Sequence, residues 1–143
     1  MTKENYKTLE LPKNYKPKKS EPYMCPMQLA YFYQVLTAQK EELLSERDSV
    51  LSAVRMADKT AAVGVGDESD NATYNQDITM DLRMSDRNNK LLAKINAALE
   101  RLDTGDFGYS VVSGDEIGLQ RMLARPLATM TIEEQEEYER RKN

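Results

Sequence analysis

The chain has one cysteine and no histidine. A disulfide framework within one chain is therefore excluded, and almost nothing remains for a conventional zinc site or a histidine-dependent catalytic triad. Cysteine scarcity also suits the cytosol. No run of about 18 apolar residues occurs, so no membrane-spanning helix is predicted, and Met1 to Leu11 lacks an apolar core of signal-peptide length. A surplus of positive charge is missing too: 20 Lys and Arg against 24 Asp and Glu leave a formal net charge of -4, a poor balance for general phosphate-backbone binding. These absences predict a soluble, cytoplasmic chain whose partner is a protein rather than DNA or a membrane. At 143 residues the expected organisation is one compact body with one long excursion, without a second full domain.

Proline and glycine are unevenly placed. Residues 1–26 carry Pro12, Pro17 and Pro22 among Lys13, Lys16, Lys18 and Lys19, a composition that buries little apolar surface by itself. It reads as a solvated, partly extended N-terminal arm available to pack on a small head. After Pro26 neither residue type occurs until Gly64, and Pro is preorganised for the first helical position. Leu29, Leu36, Leu43 and Val50 recur every seven residues, widened by Phe32, Leu44, Leu51 and Val54, while Lys40, Glu41, Glu42, Glu46 and Arg47 stay mostly off the stripe. This predicts an amphipathic helix to about Asp58.

Thr60 to Asn71, with Gly64, Gly66, Asp67, Glu68, Ser69 and Asp70, has turn chemistry. A second helix is predicted from about Thr73 to Asp103, with Ile78 and Leu82, then Leu92, Ile95, Leu99 and Leu102 on its stripe and Gly105 as its stop. Residues 27–104 thus form an antiparallel coiled-coil hairpin roughly 45 Å long, with an acidic tip near 60–72. Its stripe thins at Gln39 to Glu42 and at Arg83 to Asn89, so packing alone does not account for Arg83, Asp86 and Arg87.

Residues 105–130 begin Asp106-Phe107-Gly108-Tyr109 and continue through Val111, Val112, Ile117 and Leu119 to Ala124-Arg125-Pro126. Too short to stand alone, they are expected to fold back on the hairpin base as the head. In the charged stretch 131–143, Thr131-Ile132-Glu133-Glu134 matches the capping box that satisfies orphan amides at a helix start. The predicted fold is mainly α: a long antiparallel hairpin on a small globular head, with a C-terminal helix. Cys25, a lone thiol near a helix start, is expected to be inert.

Tyr23-Met24 with Gln28-Leu29-Ala30, Asp67 to Ala72, Leu82-Arg83 with Asp86-Arg87, and Lys90-Leu91 occur in the order found in one family. So do Asp106 to Tyr109, Glu116-Ile117-Gly118 and Ala124-Arg125-Pro126. Together these segments resemble the DksA family of bacterial transcription regulators over about Tyr23 to Glu139, and Leu11-Pro12-Lys13-Asn14-Tyr15 resembles its alphaproteobacterial members.

The resemblance implies a monomeric, non-enzymatic regulator that binds RNA polymerase and inserts its coiled-coil tip into the secondary channel. There it alters promoter open-complex stability, with ppGpp as co-regulator in the stringent response. It assigns Asp67, Asp70 and Ala72 to the tip, Arg83 and Arg87 to polymerase contact, and Leu91, Lys94 and Arg125 to the ppGpp site. A further basic residue expected in the C-terminal helix is replaced by Gln135. The family's four zinc cysteines correspond to Ser110, Ser113, Thr131 and Glu134, which cannot replace thiolates, so no structural zinc is expected. Taken without the resemblance, the acidic stretch reads as a solvated turn, Arg83 and Arg87 as surface ion-pair partners, and Lys94 and Arg125 as ordinary surface residues. Two other functions fit the same pattern. One is transcript cleavage assisted by a Mg²⁺-holding tip, as in the related Gre factors; the other is a coiled-coil scaffold.

Overall fold

A proline at the first position of a helix loses nothing, because its missing N–H would have no intrahelical acceptor and its φ is already helical. Pro26 stands at that position, with the Cys25 amide donating to the Pro22 carbonyl at 3.1 Å and the Leu29 amide to the Cys25 carbonyl at 2.9 Å. The computed structural model describes residues 5–62 and 68–142. Among them lie α1 (Asn5–Thr8), α2 (Pro26–Ala62), α3 (Glu68–Thr104), α4 (Leu119–Ala124) and α5 (Ile132–Lys142). The chain is mainly helical; the described residues add one isolated antiparallel bridge, Tyr109 with Glu116.

Helices α2 and α3 have 37 residues each, about 55 Å of axial rise apiece at 1.5 Å per residue. Both are longer than their sequence predicts. Thr60 to Ala62 close α2 and Glu68 to Asn71 open α3, where a turn was expected. The reason lies in where the acidic residues fall: Asp and Glu are unfavourable in a helix interior but favourable in its first turn, where the free amides and the dipole present positive charge. Gly105 ends α3 in the left-handed region at φ 85°, and the Asp106 amide returns to the Arg101 carbonyl at 2.9 Å.

The chain divides into two compact units, Met1–Ala38 with Lys94–Asn143, and Gln39–Ala93. The first holds most of the buried apolar side chains. Phe32 and Leu36 from α2, Ile95 and Leu102 from α3, and Phe107 and Met122 beyond it are all buried. The Phe32 ring lies 5.2 Å from that of Phe107. Burial of side chains this size contributes about 1.5–3 kcal/mol each.

The N-terminal arm is tied down rather than solvated throughout. Tyr6 is buried; its hydroxyl donates to Asp103 at 2.6 Å, and its ring meets Tyr33 edge-on at 5.7 Å. Lys7 pairs with the same carboxylate at 2.9 Å. Pro17 and Met24 are buried as well. The side chain of Gln28, fully buried, accepts from the Met24 amide at 2.9 Å and donates to the Lys18 carbonyl at 3.2 Å. An arm poor in apolar residues can still dock when its few aromatics find partners elsewhere in the chain.

This docking is acid-sensitive. The Tyr6 hydrogen bond, then the Lys7 contact, hold the Asp103 carboxyl below its ordinary range. A lowered carboxylate contributes stability that is full above the unfolded pKa, about 3.9 for Asp, and is lost as pH falls through the folded value. Tyr6→Phe is expected to destabilise the chain by about 1 kcal/mol at neutral pH. It should also reduce the extra loss seen on acidification, read from urea midpoints at several pH values. Midpoints that match the wild type throughout would show that the hydroxyl is immaterial.

The unit Gln39–Ala93 is built differently. Among its described residues Leu43, 9% exposed, is the only buried apolar side chain. Leu51 and Leu82, expected on the apolar stripes, are exposed. Two paired helices cover only one seam on each other, so a side chain at the margin of a wide stripe stays in water. The two helices also meet through a polar contact, the Asn88 amide donating to Glu46 at 3.0 Å.

Candidate protein-binding surface

In a unit with so little core, the surface carries the information. Arg83 and Arg87 stand one turn apart on α3, both exposed, and among the described residues neither forms an ion pair with Asp86 or with a carboxylate of α2. Among the described residues the surface ion-pairing that composition allowed is not made, and guanidinium forks of this kind suit carboxylate, phosphate or carbonyl groups. Met80 and Met84, exposed on the same helix, add an adaptable apolar surface. Asp70 and Ala72 lie in the first two turns of α3, a helical placement in place of the expected loop, whereas Asp67 lies outside the described residues.

Lys94 and Arg125 belong to the unit of the arm and head, both exposed; Leu91, also exposed, belongs to the other unit. Among the described residues neither Lys94 nor Arg125 has a carboxylate partner within ion-pair distance. Gln135 turns its amide along α5 to Glu139 at 3.2 Å.

The head is organised by backbone capture. Arg101 donates through Nη2 to the carbonyls of Tyr109 and, at 3.2 Å, Asp106. Desolvation lowers the guanidinium pKa, and the nearby Asp106 charge opposes the shift. The Tyr23 hydroxyl donates to the Gly108 carbonyl at 2.6 Å and accepts from the Gly118 amide at 3.2 Å, while its ring meets Tyr109 edge-on at 5.6 Å. Gly108 has φ 87°, a backbone conformation that side-chain-bearing residues rarely adopt, so a substitution there is strained, and a Cβ would in addition press on Met24 Cε at 2.8 Å.

Sequence reasoning found the Thr131–Glu134 capping box but missed its extension. The Glu134 amide donates to Thr131 Oγ1 and the Thr131 amide to Glu134 Oε1, both at 3.2 Å. The same carboxylate also accepts from Ser110 Oγ at 2.8 Å and Ser113 Oγ at 3.3 Å. The four positions expected from the resemblance to correspond to zinc cysteines therefore do converge, with their oxygens committed to one another. They do not fit a zinc ion: there is no thiolate or imidazole, and the single charged group is the shared acceptor of the cluster. No group of three or more His, Cys, Asp or Glu suited to a metal ion occurs among the described residues. No described helix is long and apolar enough to cross a membrane.

Comparison with known proteins adds the following. The family described as DnaK suppressor protein DksA, N-terminal domain, matches residues 28–102. The RNA polymerase-binding transcription factor DksA of Caulobacter vibrioides (strain NA1000 / CB15N) is 42% identical over 128 residues, 90% of this chain and 87% of that protein. The protein of the same name from Escherichia coli (strain K12) is 36% identical over 119 residues, 83% of this chain and 76% of its own. Among solved structures, transcription factor DksA2 from Pseudomonas aeruginosa superposes with a TM-score of 0.75 at 36% identity, covering 86% of this chain and 94% of its own.

Proposed function

We propose, from the premise that this chain belongs to the DksA family, that it regulates transcription by binding RNA polymerase directly. The observation that carries the reading beyond family membership is the Gln39–Ala93 unit. Among its described residues it buries one apolar side chain and displays Arg83 and Arg87 on one helix face with no carboxylate within ion-pair distance. Such a segment gains little by folding on itself and is suited to being gripped by a larger protein. In this reading the unit enters the secondary channel of the polymerase, Arg83 and Arg87 hold its walls, and Asp67, Asp70 and Ala72 act at the far end on open-complex stability. The work is done by binding and not by chemistry, and the protein acts as a monomer in the cytoplasm.

Co-purification of the full chain with bacterial core polymerase, followed by cryo-EM of the complex, tests partner, channel and tip placement together. Absence of a complex at micromolar protein would end the proposal. Concentration-dependent self-association without polymerase binding would favour a scaffold. Mg²⁺-dependent transcript shortening on a stalled complex would favour the cleavage reading.

Lys94 and Arg125, both in the unit of the arm and head, form the proposed site for ppGpp, where ammonium and guanidinium groups pair with phosphate. Hydrogen bonds between charged groups are worth about 1.5–3 kcal/mol each. Lys94→Ala with Arg125→Ala is therefore expected to weaken the ppGpp response of open-complex lifetime at least about tenfold, with nucleotide-free polymerase binding nearly unchanged. A wild-type protein indifferent to ppGpp would remove the site from the proposal.

A further inference from the structure

We propose that the Glu134 carboxylate, gripped by Ser110, Ser113 and Thr131, takes the place of a metal ion in fastening α5 to the turn at residues 110–115. The need for a fastener is plain. None of the residues of α5 is buried, and Ile132 and Tyr138, its larger apolar side chains, are both at least half exposed. Packing of an apolar face, the usual source of helix stability in proteins, is missing here.

The connections that remain are polar and converge on the start of the helix. The Val111 amide donates to the Thr129 carbonyl at 2.9 Å, and Arg121 Nε donates to the Met130 carbonyl at 3.0 Å. These hold the approach to α5, but the contacts made by the helix itself run through Glu134. Ser110, only 6% exposed, is the inner link. Its Oγ accepts from the amides of Val112 at 3.0 Å and Ser113 at 3.3 Å and donates to Glu134. Ser113 Oγ accepts from the Asp115 amide at 3.3 Å and likewise donates to Glu134.

Each hydroxyl therefore relays backbone N–H dipoles toward one anion, a polarised arrangement in which successive hydrogen bonds strengthen one another. Burial alone would raise the Glu134 pKa. The hydrogen bonds from Ser110, Thr131 and Ser113 outweigh it and hold the carboxyl below its ordinary range. A zinc centre surrounds one cation with anionic ligands; this cluster surrounds one anion with donors. The electrostatics are inverted and the cross-link is the same: two residues of the 110–115 turn joined to two at the head of α5.

A simple helix cap would use Thr131 and Glu134 alone, so the decisive residue is Ser110, 24 positions away in sequence. The experiment is amide hydrogen exchange of α5 in the full chain. Glu134→Ala is expected to speed exchange across α5 about tenfold, since it removes the cap and both serine bonds together. Ser110→Ala should do so severalfold, and the double variant should be little worse than Glu134→Ala, because the two side chains act through one bond. Amides of Ile95 to Leu102 should keep their protection in all three, and EDTA should leave wild-type α5 unchanged.

If Ser110→Ala leaves α5 exchange at the wild-type rate, a cap alone explains the geometry and the proposal fails. It fails equally if EDTA accelerates exchange in the wild type. A second variant tests convergence directly. Replacing Ser110, Ser113, Thr131 and Glu134 together by cysteine should create a chain that takes up one Zn²⁺ and, with zinc, regains α5 protection. A folded quadruple variant that binds no zinc would overturn the substitution idea. Neither measurement involves polymerase, so failure here is distinct from failure of the proposed function.

Discussion

Phe32→Ala is expected to remove about 3–5 kcal/mol of stability. Phe32 is 0% exposed, with its ring 5.4 Å from Tyr31 and 5.2 Å from Phe107. Through Phe107 it joins α2 to the segment that follows α3. Truncation to alanine leaves a cavity lined by residues from separate stretches of chain, which can collapse only by moving helices. Total stabilities of domains this size run to about 5–15 kcal/mol, so the loss should lower the urea midpoint severely. Phe32→Leu should recover most of it, because an aliphatic side chain fills much of the same space. Arg83→Ala, on the exposed face of α3, should change stability by no more than about 0.5 kcal/mol. A Phe32→Ala variant within 1 kcal/mol of wild type by the same measurement would show that the aromatic contact does not hold this unit together.

Asp70→Asn is expected to have the opposite character: almost no effect on folding and a large one on function. Asn is close in shape to Asp and is accepted near helix starts, and loss of a carboxylate from a first turn costs only about 0.3–1 kcal/mol. If the tip acts inside the polymerase while the rest of the protein provides affinity, binding should stay within about threefold of wild type, a difference below 1 kcal/mol. Most of the effect on open-complex lifetime should disappear. Asp67→Asn should act in the same direction. The measurements are polymerase affinity and open-complex decay at saturating protein. Lost binding with regulation preserved at saturation would make the tip an anchor. A variant equal to wild type in both assays would return these carboxylates to ordinary solvated residues.

What the sequence by itself determined about this protein is what local chemistry can specify. Pro26 starts α2, Gly105 ends α3 through its left-handed φ, Thr131 and Glu134 close a capping box, and the three- and four-residue spacing of Leu92, Ile95, Leu99 and Leu102 marks the helix face on which Ile95 and Leu102 are buried. Each of these signals lies within a few residues of its consequence. Its margins were weaker. Leu51 and Leu82 belonged to plausible apolar stripes but stand in water, because a two-helix seam covers less of each helix than a core does. The acidic stretch before Asn71 had turn chemistry and helix-start chemistry at once, and only the structure shows that Glu68 to Asn71 are already helical.

Tertiary structure alone decided the partners that meet across long sequence separations. Tyr6 finds Asp103, Tyr23 reaches the backbone at Gly108 and Gly118, and Ser110 donates to Glu134. No periodicity or spacing announces such pairs. A tyrosine or serine can satisfy its hydroxyl with water or with many acceptors, and which one it meets depends on where the packing of Phe32, Ile95, Leu102 and Phe107 places the loops. For the same reason Ser110 and Ser113 gave no sign in the sequence of a tie to the capping box at Thr131 and Glu134, because the hydrogen-bonded cluster depends on the fold bringing residues 110, 113, 131 and 134 to one point.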